Sequence, residues 1–186
     1  MQFYPKVEKF VEESFGKQGK TSTIIHLKRT AYWLKQIKPD ADEVLLVAAV
    51  SHDIERAYRD YPLMNELKQK GGYDSPEYLR LHQEKGGKII ADLLTSFGAP
   101  KEFIAKVKLL ISTHEYGGND EQNALKDADV ISFFENNVDN FIEYEVKETS
   151  LKQVKEKFQW MFSRITSNKA KEIAKPLYEK ALEQLG

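Results

Sequence analysis

With 186 residues, 41% of them hydrophobic and 31% charged, the chain has the length and composition of one soluble globular domain with a substantial core. Its 28 basic and 29 acidic residues leave a net charge of -1, which excludes an overall field recruiting nucleic acid or an anionic membrane, so any phosphate affinity must be local. The absence of cysteine excludes disulfides and thiolate-bound zinc and fits a reducing compartment.

Helical spacing recurs almost throughout, with no alternating strand pattern, internal repeat or low-complexity tract, so the fold class is all-α. A first helix is predicted over about Pro5 to Phe15, ending near Gly16 and Gly19. Thr21 or Ser22 then caps a second, on which His26, Thr30, Trp33 and Ile37 share one stripe before Pro39 and Asp40 stop it. The third starts near Asp42 and runs through Val44 to Val50, apolar on every side as a fully buried helix is, and closes on His52 and Asp53. That run is too short to span a bilayer, and the first fifteen residues lack a signal-peptide core, so a cytoplasmic protein is expected.

Arg59 to Ser75, with Pro62 and the Gly71-Gly72 pair, reads as too irregular for one clean helix and as a candidate lid over a site. Ser75 before Pro76 predicts the start of the next helix, which carries Leu79, His82, Gly86, Ile89, Leu93 and Phe97 on one stripe. Gly86 and Gly87 weaken a helix interior by about 1 kcal/mol each, so another element should approach their backbone closely. From Lys101 the stripe is Phe103, Val107, Leu110, Ile111 and His114, making His114 the inward C-terminal residue of a helix, followed by a turn over Glu115 to Asp120.

In the next helix Leu125, Asp129 and Ser132 or Phe133 share a side that Asp127 does not. A polar helix then follows, one opened by a Ser150-Gln153 capping box, and a last one from about Asn168 that Pro176 should kink or restart. Phe158, Trp160, Met161, Phe162 and Ile165 read as packing residues. The expected organisation is a single domain over 1–186, with a core over about 22–135 and C-terminal helices over about 138–186 packed on it.

All four histidines fall into one ordered series with two aspartates: His26, His52 and Asp53, His82, His114, Asp129. Burying that many titratable groups costs several kcal/mol apiece unless something pairs with them. Neutral imidazole and carboxylate are ligands that first-row divalent ions accept, and six can hold two ions when one carboxylate bridges. The series therefore points to a metal site.

That order on successive helices resembles the HD-domain superfamily of metal-dependent phosphohydrolases, over about Ser22 to Glu135. The matching signatures are Ala-Val-Ser-His-Asp-Ile closing the buried helix, His82 four residues before Gly86, Ser-Thr-His114, and Asp-Ala-Asp129. The resemblance implies an HD-type helical bundle in which His26, His52, Asp53 and Asp129 bind one divalent ion. His82 and His114 match the two further histidines of two-metal members, whose ions are iron, manganese or another first-row metal, and Asp53 would bridge them. That subset includes phosphodiesterases, hydrolases of symmetrical dinucleoside tetraphosphates and a few mixed-valent di-iron oxygenases. Four positions after the motif histidine, where a basic residue often binds phosphate, stands Arg56.

The implied activity is hydrolysis of a phosphate ester or anhydride on a small phosphorylated substrate, a nucleotide or dinucleoside polyphosphate, with Asp53 and Arg56 in catalytic roles. Arg29, Arg56 and Lys85 are candidate clamps for its phosphate oxygens. A di-iron oxygenase and a non-catalytic metal or nucleotide sensor are the competing readings; oligomeric state is open.

Overall fold

Around the most apolar stretch of the sequence the fold is assembled as a layer of helices. The computed structural model describes residues 1–72, 74–148 and 150–186, with backbone alone over 144–148. Helix α1 spans Tyr4–Gly16, α2 Thr21–Ile37 and α3 Glu43–Ser51. Asp42 caps α3 by accepting the Leu45 N–H at 2.9 Å, and every residue from Leu45 to Ser51 is buried. Helices α1, α2, α6 (Lys101–Ile111) and α7 (Asp120–Asn136) pack against it, α2 lying along α7, and α5 (Pro76–Ser96) lies along α6. Their apolar stripes meet in one cluster that includes Leu27, Leu46, Ile90, Ile111 and Leu125. Among the described residues there is no strand, as the 3.6-residue periodicity requires.

A second apolar cluster joins the far half of α7 to α8 (Val138–Glu148), α9 (Leu151–Ser163) and α10 (Asn168–Glu183). It contains Phe133, Phe134, Phe158 and Met161, and Trp33 and Ile37 on α2 pack against both clusters. The residues read from sequence as packing residues do pack here: Phe158, Met161 and Ile165 are buried in the cluster and Trp160 and Phe162 lie against it, while Phe133, Phe134, Phe141 and Phe158 meet edge to face or tilted.

Four local expectations are corrected. Tyr61–Gly71 is one helix, α4, not an irregular stretch: Asp60 caps it by accepting the Leu63 N–H at 3.3 Å, Pro62 sits in the first turn where its missing N–H is harmless, and Gly72 ends it at φ 80°. Tyr73, in the same candidate lid, lies outside the described residues. Helix α2 begins at Thr21 without a side-chain cap, because the cap position falls on Lys20, whose ammonium has no acceptor atom to offer the first-turn N–H groups. Ser75 occupies the cap position of α5 without a side-chain cap bond, leaving Pro76 to set the helix start. Finally, of the two outcomes expected at Pro176, the restart does not occur, since α10 runs through it as one element.

The paired glycines of α5 meet their expectation. A β-carbon on Gly86 would lie 3.3 Å from the His52 carbonyl oxygen, and one on Gly87 3.1 Å from the Lys108 carbonyl oxygen and 2.5 Å from Ser112 Oγ. Bare backbone at these two positions lets α5 seat against the end of α3 and against α6, which places His82, one turn earlier, beside Asp53. No helix of the described residues is long and apolar enough to cross a membrane.

Candidate metal centre

Five segments deliver the six predicted side chains to one place. His26 comes from α2, His52 and Asp53 from the end of α3 and the short 3₁₀ turn Ile54–Ala57 after it, His82 from α5 and Asp129 from α7. His114 is not on a helix, since α6 ends at Ile111; it stands in the turn that follows, and its Nδ1 lies 2.7 Å from the Ile111 carbonyl. The helical period carries past the helix end because that turn keeps a nearly helical direction.

None of the six is more than 6% exposed, so each needs a partner inside the protein. Asp129 Oδ1 lies 3.2 Å from His26 Nε2 and 3.3 Å from His52 Nε2. Asp53 Oδ1 lies 2.9 Å from His82 Nε2. The His52 and His114 rings stand 4.9 Å apart between centroids, and His82 and His114 5.4 Å. His26, His52 and Asp53 offer ligand atoms within 4.8 Å of one another, and so do Asp53, His82 and His114. Asp53 belongs to both triads, the position a bridging carboxylate takes.

The contacts behind the rings fit the same reading. His52 Nδ1 lies 2.9 Å from the Ala49 carbonyl, His114 Nδ1 meets the Ile111 carbonyl and His82 Nδ1 lies 2.8 Å from Glu55 Oε2. An Nδ1–H held outward on oxygen leaves the Nε2 lone pair facing in, the arrangement that orients metal-ligating imidazoles. His52 Nε2 is buried without a directed hydrogen bond among the described residues, a lone pair that a cation would satisfy. Ser132 and Thr30 both donate to the His26 carbonyl, at 2.8 and 3.0 Å, locking the α2 and α7 contributions together. Asp127 points away: it accepts the Thr166 N–H at 2.8 Å, the Thr166 hydroxyl at 3.0 Å and the Ser167 N–H at 2.8 Å at the start of α10.

Electrostatics in the cluster follow from burial set against opposite charge. Burial favours neutral His52, but Asp53 and Asp129 overrule it and raise the imidazole to about 9. Burial dominates at His114, lowering it to about 4. Burial would raise both aspartates, yet Arg56 and the neighbouring histidines hold Asp53, and His26 and His52 hold Asp129, well below the usual carboxylate range. Against the same burial, His82 and Arg59 hold Glu55 down to about 2.

The cluster forms one side of a cavity of about 350 Å³. Arg56, Arg59, Lys68 and Lys157 line it, and Tyr61, Tyr78, Phe133 and Phe141 give it aromatic walls. Arg56 places Nε 2.7 Å from Asp53 Oδ2 with its side chain 41% exposed. Burial lowers Lys157 to about 8, a fall that Glu115 opposes and Arg164 and Arg56 reinforce. The helix in the predicted lid segment contributes Tyr61, Asn65 and Lys68 to the wall.

Of the three candidate phosphate clamps, the structure brings Arg56 to the cavity. Arg29 instead forks onto Glu135, at 2.8 and 2.6 Å, and stacks 4.0 Å from the Tyr32 ring centroid. Lys85 donates to the Tyr58 carbonyl on the exposed side of α5. Both lie within a turn of a ligand in sequence, but their long side chains bend to nearer partners. Sequence reasoning missed Arg59, which pairs with Glu55 at 2.6 Å; its i, i+4 spacing from Glu55 was a usable signal. It also missed Glu115, although that residue directly follows His114, and Arg164 and Lys157, which no local spacing ties to the cluster.

In sequence, residues 8–183 match the DUF4202 family, described as a domain of unknown function. No curated protein matches the chain. In structure, the chain is similar to a predicted HD superfamily hydrolase from an uncultured Thermotogales bacterium, solved by crystallography, with a TM-score of 0.62 and 19% identity over 99% of this chain and 90% of that one. At that identity the likeness speaks to the fold, which is the HD-type helical fold that the six residues implied.

Proposed function

As this chain belongs to the DUF4202 family and has the HD superfamily fold, we propose that it is a metal-dependent phosphohydrolase acting on a phosphate ester or anhydride of a nucleotide or dinucleoside polyphosphate. One observation carries the reading: two buried ligand triads share Asp53, and the imidazoles around it are backed by oxygen so that their free nitrogens converge.

In this reading His26, His52, Asp53 and Asp129 would hold one ion and Asp53, His82 and His114 a second, iron, manganese or another first-row metal. When bound, such ions supply Lewis acidity and a water acidic enough to attack near neutral pH. The chain's own residues do the rest. Asp53 offers one carboxylate to both triads and so fixes their separation. Arg56, kept charged by Asp53, has its guanidinium half in the cavity, where it can neutralise nonbridging phosphoryl oxygens. Arg59 holds Glu55, and Glu55 in turn holds the His82 ring in its inward pose.

The cavity wall supports an organic phosphate over the free ion. Four cationic side chains favour an anion, while the aromatic faces suit a planar base; the volume is at the small end of ligand pockets and fits about one nucleotide unit. The test is metal analysis of the purified protein, then a screen of phosphate esters, nucleotides and dinucleoside polyphosphates with Mn²⁺, Fe²⁺, Co²⁺ and Ni²⁺, with and without oxygen. Metal-dependent phosphate release at the same rate without oxygen is expected. Product formation that consumes oxygen, or tight nucleotide binding with no product under any metal, would overturn the proposal.

A further inference from the structure

Arg164 ends α9, far outside the segment whose motifs suggested a metal site, yet its side chain is 7% exposed and reaches the centre. Its Nη1 lies 2.6 Å from Glu115 Oε2, and its Nη2 lies 3.4 Å from Asp129 Oδ2 and 3.5 Å from the His114 carbonyl. The guanidinium also stacks 4.5 Å from the Trp160 ring centroid, which holds its plane. The two oxygens of Asp129 thus have different partners: Oδ1 faces His26 and His52, Oδ2 faces Arg164.

Glu115 makes this pairing consequential. It follows His114, its N–H is donated to Gln83 Oε1 at 2.9 Å, and its Oε1 lies 3.8 Å from His114 Nε2. Glu115 stands outside both triads, but at this distance a turn of its side chain would bring it onto an ion held by His114. Its carboxylate is buried and turned onto Arg164. A planar fork with fixed donor directions can restrain two carboxylates at once; a methylene chain without donors cannot.

We propose that Arg164 is a positioning residue, which limits Asp129 to its inward oxygen and keeps Glu115 out of the ligand set, so that the cavity side of the centre stays open. Without Arg164, Asp129 keeps its two histidines, but Glu115 loses its closest counter-charge and turns to a metal ion bound beside it. The inference rests on the metal centre proposed above, and extends it to a residue of the C-terminal helices.

The test uses Co²⁺, whose visible d–d absorption reports coordination number, added to the full-length protein and to Arg164→Met, Glu115→Gln and the double variant. The expected result is a weaker, shifted absorption in Arg164→Met with tighter Co²⁺ binding, return of the wild-type spectrum in the double variant, and no change in Glu115→Gln alone. Thermal unfolding of the metal-free proteins checks that each folds. A wild-type spectrum and affinity in Arg164→Met would overturn the proposal, and so would a changed spectrum in Glu115→Gln, which decides the matter even where Arg164→Met fails to fold. Wild-type protein that takes up no Co²⁺ removes the metal centre and this proposal together, whereas uptake with identical spectra in every variant removes this proposal alone.

Discussion

Loading a metal at neutral pH should displace a proton from His52. In the metal-free protein, burial disfavours the imidazolium, but Asp53 and Asp129 raise it to about 9. A ligating nitrogen must be unprotonated, so at pH 7 the ion competes with a proton about two decades above its half-titration point, a weakening of about 100-fold or 2.7 kcal/mol. His114, at about 4, is already neutral at pH 7 and adds no such competition. Between pH 7.5 and 8.5 His52 is still giving up its proton, and Lys157 in the cavity wall, at about 8, gives up its own, so Mn²⁺ affinity should rise there by about tenfold or more. The sign for folding follows: the raised value stabilises the metal-free protein below the unfolded value near 6.5, and that contribution is lost as the pH rises through about 9. Calorimetric titration with Mn²⁺ in two buffers of different ionisation enthalpy gives both affinity and protons released. A flat affinity across that interval with no proton released would refute the charge assignment at His52.

Asp129→Ala should abolish metal uptake, whereas Asp127→Ala should retain it and lower the unfolding free energy by about 3 kcal/mol through loss of the bonds to Thr166 and Ser167, read by metal analysis beside denaturant unfolding. Glu55→Gln should weaken metal binding by about 10- to 100-fold, since it removes the charged partner of His82 Nδ1. Because Glu55 is held down to about 2, its contribution to stability should be present above about pH 4.3 in the wild type and fade as the pH falls towards 2, a loss absent from the variant in acid titration. Arg56→Gln should lower the unfolding free energy of the metal-free protein, since it removes the counter-charge of buried Asp53, and raise KM for an anionic substrate by about tenfold, an effect that shrinks with added salt.

The six clustered residues were legible in the sequence because each breaks a local rule: a titratable side chain stands where the helical period places an apolar one. His26 and His82 on otherwise buried stripes, and the His52-Asp53 pair closing α3, are anomalies that burial alone makes costly. Gly86 and Gly87 carried the same kind of message about backbone approach. Helix α4 was hidden because its boundary residues look like disruption: Pro62 and the glycines at its end mark where it starts and stops, and it buries little beyond Met64 and Leu67. Positive charge was misread for a different reason. Arg29 shares a helix with His26 three residues away, but an arginine side chain is long enough to choose Glu135, on α7. Arg164 is 50 residues from His114, and its place is set by how α9 packs, which no short spacing records.

The central claim is that six buried side chains from α2, the end of α3, α5, the turn after α6 and α7 form one centre around Asp53. Diffraction from crystals grown with Mn²⁺, with anomalous differences at the manganese edge, tests it most directly. The account predicts two peaks flanking the Asp53 carboxylate, one bounded by His26, His52 and Asp129 and the other by His82 and His114. Peaks away from Asp53, or none in protein that binds manganese elsewhere, would contradict it.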